Sequence, residues 1–176
     1  MDLKLIRSHL QRARTKSCNS YEEFDALWSA FNVMYEETRP ELIMKGQKRP
    51  TERQMIRYCV KKLDYEEWRQ ILESEELKNL LSIAPIFNER ARLRDAKIDT
   101  KEFDLLVEVF GKGISGNPAE DINILEALAD LLYIIRCNRH HGHKTYDRPR
   151  DREVLDTSVP LLRKLVSKLA IHFGVI

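Results

Sequence analysis

Two apolar stripes constrain this chain more than anything else in it. Phe24, Leu27, Trp28, Phe31, Met34 and Tyr35 fall at i, i+3, i+4, i+7, i+10 and i+11, and Ile122, Leu125, Leu128, Ala129, Leu132 and Ile135 repeat the rhythm late in the chain. Apolar residues that recur every three or four places line one side of a helix and cannot line one face of a strand. Each stripe must be covered, and the cover at hand is more helix. Six glycines and six prolines in 176 residues leave little punctuation, and β-branched runs are scarce. The expected fold is all-α: a single-domain helical bundle of about six to eight helices spanning residues 1–176.

Shorter signals divide the rest. Leu3, Ile6 and Leu10 predict an opening helix to about Lys16, and Asn19 or Ser20 can cap the next. Residues 39–50 read as a polar, basic loop between Pro40 and Pro50. Thr51 opens a helix over 52–63, Asp64 caps another that carries Tyr65, Trp68, Ile71 and Leu72, and a short segment runs from Glu75 to Ile83. Thr100 caps a helix stopped by the stretch from Gly111 to Gly116, and Asn117-Pro118 starts a long one that Gly142 ends. Residues 143–150 read as a polar loop. A final helix from Asp151 should kink or restart at Pro160. Trp28 and Trp68 sit on stripes and read as core.

With 43% hydrophobic and 33% charged residues, the composition is that of a folded chain and not of a disordered one. The net charge of +2 hides an uneven distribution. Residues 38–63 hold eight Lys/Arg against Glu41 and Glu52, and residues 131–176 hold nine against four acids. Residues 64–80 are acidic. Basic zones on a nearly neutral chain permit an anionic partner, although on charge alone ordinary solvated helix faces are the preferred explanation. Cys18, Cys59 and Cys137 are odd in number and never spaced C-x-x-C, which argues against a disulfide framework or zinc knuckle and fits a reducing compartment. Neither a signal-peptide core nor an apolar run of about 20 residues is evident, so a cytoplasmic location is expected.

Chemistry concentrates in Arg136-Cys137-Asn138-Arg139-His140-His141-Gly142, at the end of the second stripe. Arginine offers phosphate a planar fork of donors, and histidine exchanges protons near neutral pH. On an ideal helix, residues five apart are about 140° apart around the axis, so Arg136 shares a face with His140 and not with His141. If Gly142 unwinds the last turn, His141 can return beside Arg136. The bland alternative is that basic residues simply complement the dipole of a helix C-terminus. A metal site at His140, His141 and His143 is a weaker rival, because adjacent histidines on one helix end diverge. Gly111-Lys112-Gly113-Ile114-Ser115-Gly116 follows a helix and not a strand, so it reads as a connector and not as a phosphate loop.

The segment Tyr133–Gly142 resembles the R-x4-6-H motif of the HEPN superfamily, small all-α proteins that include many ribonucleases of toxin–antitoxin and antiviral systems. Phe24-x-x-x-Trp28-x-x-Phe31-Asn32-x-x-Tyr35 is similar to an early helix of those proteins, and Arg150-Asp151-Arg152-Glu153 opens a comparable closing helix. The resemblance implies a metal-independent endoribonuclease in which the ribose 2′-hydroxyl attacks phosphorus and leaves 2′,3′-cyclic phosphate and 5′-hydroxyl ends. It puts Arg136 and His141 in the motif positions and Asn138 in the polar position within it, with His140 as a neighbour able to share proton transfer. Arg139, Lys144 and Asn32 are candidate RNA contacts. No metal or other cofactor is implied. The implied partners are RNA, a second copy of the chain that completes a composite cleft, and an antitoxin or nucleotidyltransferase neighbour. Cys137 departs from the pattern, since many members carry a polar residue directly after the arginine. A helical protein of the same kind that binds RNA, a nucleotide or a protein partner without turnover is the alternative.

Overall fold

A computed structural model describes residues 2–15, 19–95, 98–140 and 148–176. Among them ten helices account for the regular structure: α1 (Leu3–Ala13), α2 (Ser20–Glu36), α3 (Arg39–Met44), α4 (Glu52–Val60), α5 (Tyr65–Leu72), α6 (Glu75–Leu81), α7 (Glu89–Asp95), α8 (Lys101–Lys112), α9 (Pro118–His140) and α10 (Pro149–His172). The expected all-α bundle is what forms. Its buried apolar side chains make one continuous cluster from Ile6 to Val175. α2 lies between α1 and α10, while α4 and α8 pack on α9 and α6 packs on α10.

Local chemistry starts most of these helices. Asn19 accepts from the Glu22 amide while the Glu22 carboxylate accepts from the Asn19 amide, and Thr51 with Gln54 and Asp64 with Glu67 close the same reciprocal box. The Ser74 hydroxyl accepts from the Leu77 amide. At α9 Asn117 accepts from the Ala119 amide at 3.1 Å, and the helix start is tied to its surroundings by Asp121 in the first turn. It is buried and accepts from the Ser115 and Gly116 amides at 2.9 and 3.0 Å and from the Tyr65 hydroxyl at 2.9 Å. This pins the connector before α9 and joins α5 to it. Gly113, at φ +80°, ends α8 in a conformation that L side chains rarely adopt.

Three readings need correction. Residues 39–44 are helical and not loop: Pro40 occupies the first turn, where its missing N–H costs nothing, and Leu42 anchors the turn in the core. α7 was not anticipated, although Asn88 caps it, accepting from the Ala91 amide at 3.1 Å. α10 starts at Pro149 and runs unbroken through Pro160. The buried Leu161, Leu162, Leu165, Val166 and Leu169 supply apolar packing that outweighs one missing amide.

Trp28 and Trp68 are both core residues. Trp28 stacks on Phe24, meets Phe31 edge-on and leans toward Tyr133 of α9 at 6.5 Å between ring centroids. This aromatic column ties α2 to the half of α9 that ends in the arginine–histidine segment.

Candidate functional site

The last turns of α9 send their polar side chains in different directions, as 100° per residue requires. Arg136 points to the start of α4, Asn138 is buried, Arg139 reaches α2, and His140 is exposed at the helix end. Arg136 and His140, one turn apart, share a side of α9. His141, Gly142, His143 and Lys144 lie outside the described residues.

Arg136 ends a chain of hydrogen bonds that crosses three helices. The Asn32 amide donates to the Tyr35 hydroxyl, and that hydroxyl donates to Glu52 Oε1 at 2.6 Å. Glu52 Oε2 in turn lies 3.5 Å from Arg136 Nη1. Tyr35 is fully buried, and its burial together with the bond to Glu52 pushes its hydroxyl well above the usual phenol range. It is therefore a permanent donor that fixes one oxygen of Glu52. The pair to Arg136 is long and weak by comparison. The Arg136 Nε–H is buried and, among the described residues, meets no hydrogen-bond partner. A guanidinium carries five N–H donors and only Nη1 faces Glu52, so the outer N–H groups of Arg136, and not the buried Nε–H, keep donor capacity for an incoming anion.

Tyr133 and Cys137 stand beside this pair. Burial and the neighbouring Cys137 thiol raise the Tyr133 hydroxyl, and Glu52 adds to the effect while Arg136 opposes it. The Tyr133 hydroxyl thus senses all three of these neighbours. Cys137, half-buried, occupies the position where a polar residue was expected.

Asn138 does different work. Its amide nitrogen donates to the Phe87 carbonyl at 2.8 Å and its oxygen accepts from the Glu89 amide at 3.3 Å. Arg150, at the start of α10, donates to the carbonyls of Ala84 and Pro85 at 3.1 Å each. Both residues grip the segment joining α6 to α7. Arg139 is held by Asp25 at 3.0 Å, with its guanidinium 4.5 Å from the centre of the Tyr21 ring. Of the residues expected to act together, the structure joins Arg136 to Asn32, sets His140 on the same side, and assigns Asn138 and Arg139 to packing between elements.

A second polar cluster escaped the sequence reading. Asp130, buried at the middle of α9, accepts from Arg53 at 2.7 Å and from Arg57 Nε at 3.0 Å. Arg53 also pairs with the buried Glu102, and Lys61 and Arg57 pair with Glu126. The bonds to Asp130 raise both guanidinium groups above their usual range. A carboxylate interrupting an apolar stripe, facing basic residues spaced at i and i+4, was the available signal. The consequence is that much of the basic zone in residues 38–63 is neutralised internally: Arg39 pairs with Glu36 and Lys62 with Glu41 as well.

Among the described residues no group of three or more His, Cys, Asp or Glu is placed to hold a metal ion, and no helix is long and apolar enough to cross a membrane. No family model, no curated protein and no solved structure matches the chain.

Proposed function

We propose that this protein is a metal-independent endoribonuclease of the HEPN type. One observation supports the reading above the rest: two of the three sequence segments that carry the resemblance, separated by about a hundred residues, meet in space, with Asn32 and Tyr35 linked through Glu52 to Arg136. In this reading Arg136 leaves its long contact with Glu52 and binds the scissile phosphate, offsetting charge that grows in the transition state. The ribose O2′ attacks phosphorus, the P–O5′ bond breaks, a base accepts the 2′-hydroxyl proton, and an acid protonates O5′. His141, with His140 beside it, supplies proton transfer near neutral pH. Asn138 acts indirectly, by fixing the helix end from which these side chains project. A second copy of the chain, related by a twofold axis near Arg136, would bring two such sets into one cleft. An antitoxin or nucleotidyltransferase neighbour would then act by covering that cleft, and the setting would be cytoplasmic defence or toxin–antitoxin control.

The test is incubation with single-stranded RNA in excess chelator, scoring 2′,3′-cyclic phosphate ends. Wild type should produce them, and Arg136→Ala and His141→Ala should lose at least about 100-fold of the rate, the usual contribution of a positioned acid–base or charge-stabilising group. Equal cleavage by all three proteins would end the proposal. A second reading, binding of RNA, a nucleotide or a protein partner without turnover, is favoured by the engagement of Arg136 with Glu52 in the resting molecule and by Cys137; it predicts affinity without new RNA ends.

A further inference from the structure

We propose that the groove between α7 and the C-terminal half of α9 is a subsite for single-stranded RNA, with Arg94 on the phosphate of a nucleotide flanking the one held at Arg136. The proposal rests on the ribonuclease reading for what lies next door, but not for whether the groove binds.

The groove has a volume of about 310 Å³ and is lined by Asn88, Arg90, Ala91, Arg94, Tyr133 and Cys137. That volume is at the low end of the range for small-ligand pockets, about 300–1,000 Å³, so it admits one nucleotide unit and not the wall of a duplex. Among the described residues its lining contains two arginines and no carboxylate. A comparable groove of about 260 Å³ lies further back along α9, where Glu102, Glu126 and Asp130 already pair with its two cations, Arg57 and Lys101.

Within this groove, charge accounting favours Arg94. Arg39, Arg53, Arg57, Lys61, Lys62, Arg139, Arg163 and Lys164 each face a carboxylate. Arg94 is exposed and has no ion-pair partner among the described residues. Arg90, four residues earlier on the same side of α7, also lines the groove but is already engaged, so the phosphate contact is assigned to Arg94 alone.

Tyr133 connects this groove to the arginine site. It lines the groove, and its hydroxyl feels both Arg136 and Glu52. Its hydroxyl stays protonated through any working pH, so it offers a hydrogen bond to a ribose or phosphate oxygen. A strand lying along α9 would pass from Arg94 over Tyr133 to Arg136. The anchoring of α7 supports a site ready before binding: Asn138 holds the Glu89 amide, and Asn88 caps the helix.

The experiment measures fluorescence anisotropy with a labelled, uncleavable 2′-O-methyl single-stranded oligonucleotide. Arg94→Glu should weaken binding by about tenfold or more, as expected for reversing one charge-assisted phosphate contact. The slope of log affinity against log salt should shrink by roughly 0.7, the counterion share of one single-strand phosphate. Lys112→Glu, the same charge change on exposed α8, should leave affinity within about twofold. Both variants should melt with the wild type, because both side chains are exposed. A duplex of the same sequence should bind more weakly. The subsite is overturned if wild type does not bind, if Arg94→Glu behaves like Lys112→Glu, or if duplex binds as well as single strand. Binding that follows the prediction while wild type yields no cyclic phosphate from natural RNA would sink the ribonuclease reading alone.

Discussion

A hydroxyl with no access to water decides how one carboxylate behaves. Tyr35 is 0% exposed and donates to Glu52, so Glu52 cannot turn away from Arg136 without leaving a buried donor unsatisfied. Tyr35→Phe removes that constraint and strands the Asn32 amide. It should cost about 1–3 kcal/mol, the penalty for orphaning buried polar partners, measurable by urea unfolding. Glu52→Gln keeps the hydrogen bond from Tyr35 but releases the charge that draws Arg136 aside. If Glu52 holds Arg136 in reserve, E52Q should tighten binding of the uncleavable oligonucleotide, and Glu52→Asp should return it toward wild type. Unchanged affinity in both would show that the contact is only structural. Spacing along the chain predicted that Arg136 and His140 share a side of their helix, because an angle is a local property. It gave no hint of Glu52, whose meeting with Arg136 depends on how α4 packs against α9.

At the scale of elements, the joint between α6 and α7 depends on two side chains from elsewhere. Asn138 and Arg150 together occupy the backbone carbonyls of Ala84, Pro85 and Phe87. Asn138→Ala should cost about 1–3 kcal/mol by leaving the Phe87 carbonyl and the Glu89 amide without partners. The loss should appear as faster amide hydrogen exchange in residues 84–95, with α2 protected as before. Exchange rising uniformly over the whole chain would refute a local clamp. The pieces that the sequence announced are those with local signals. Asn19, Thr51 and Asp64 each precede a Glu or Gln by three residues and each caps a helix. α3 and α7 are short, lie in charged stretches and carry no long stripe, so Pro40 read as the edge of a loop and the stretch around Asn88 carried no assignment. Pro160 erred the other way: a local breaker is overridden when the turns around it are buried.

For the whole molecule, acid is the informative stress. Burial alone would raise the Asp121 carboxyl, but the Ser115 and Gly116 amides and the Tyr65 hydroxyl hold it below its ordinary value. Hydrogen bonds from Lys62 and Tyr58 do the same for Glu41. A depressed carboxyl stabilises the fold above its unfolded value of about 4 and stops doing so as pH falls through the folded value. The melting temperature should therefore decline from about pH 5 downward. Asp121→Asn should lower stability at neutral pH and flatten that decline; an acid limb as steep as wild type would exclude Asp121 as a cause. The single all-helical core was readable in advance because stripes and caps are written along the chain. The charge map was not, since Asp130 and Glu126 lie far in sequence from the α4 cations they neutralise.

That neutralisation sets the terms on which any polyanion is met. With the cations of α4 committed to carboxylates of α8 and α9, the surface has little long-range pull, and an approaching strand feels attraction only within a Debye length of about 8 Å at physiological salt. Encounters should be slow and selective, governed by short-range fit to the surface and not by how much charge a ligand carries. Heparin or bulk duplex nucleic acid should then bind poorly, because a surface whose cations are already paired offers a polyanion few counterions to release.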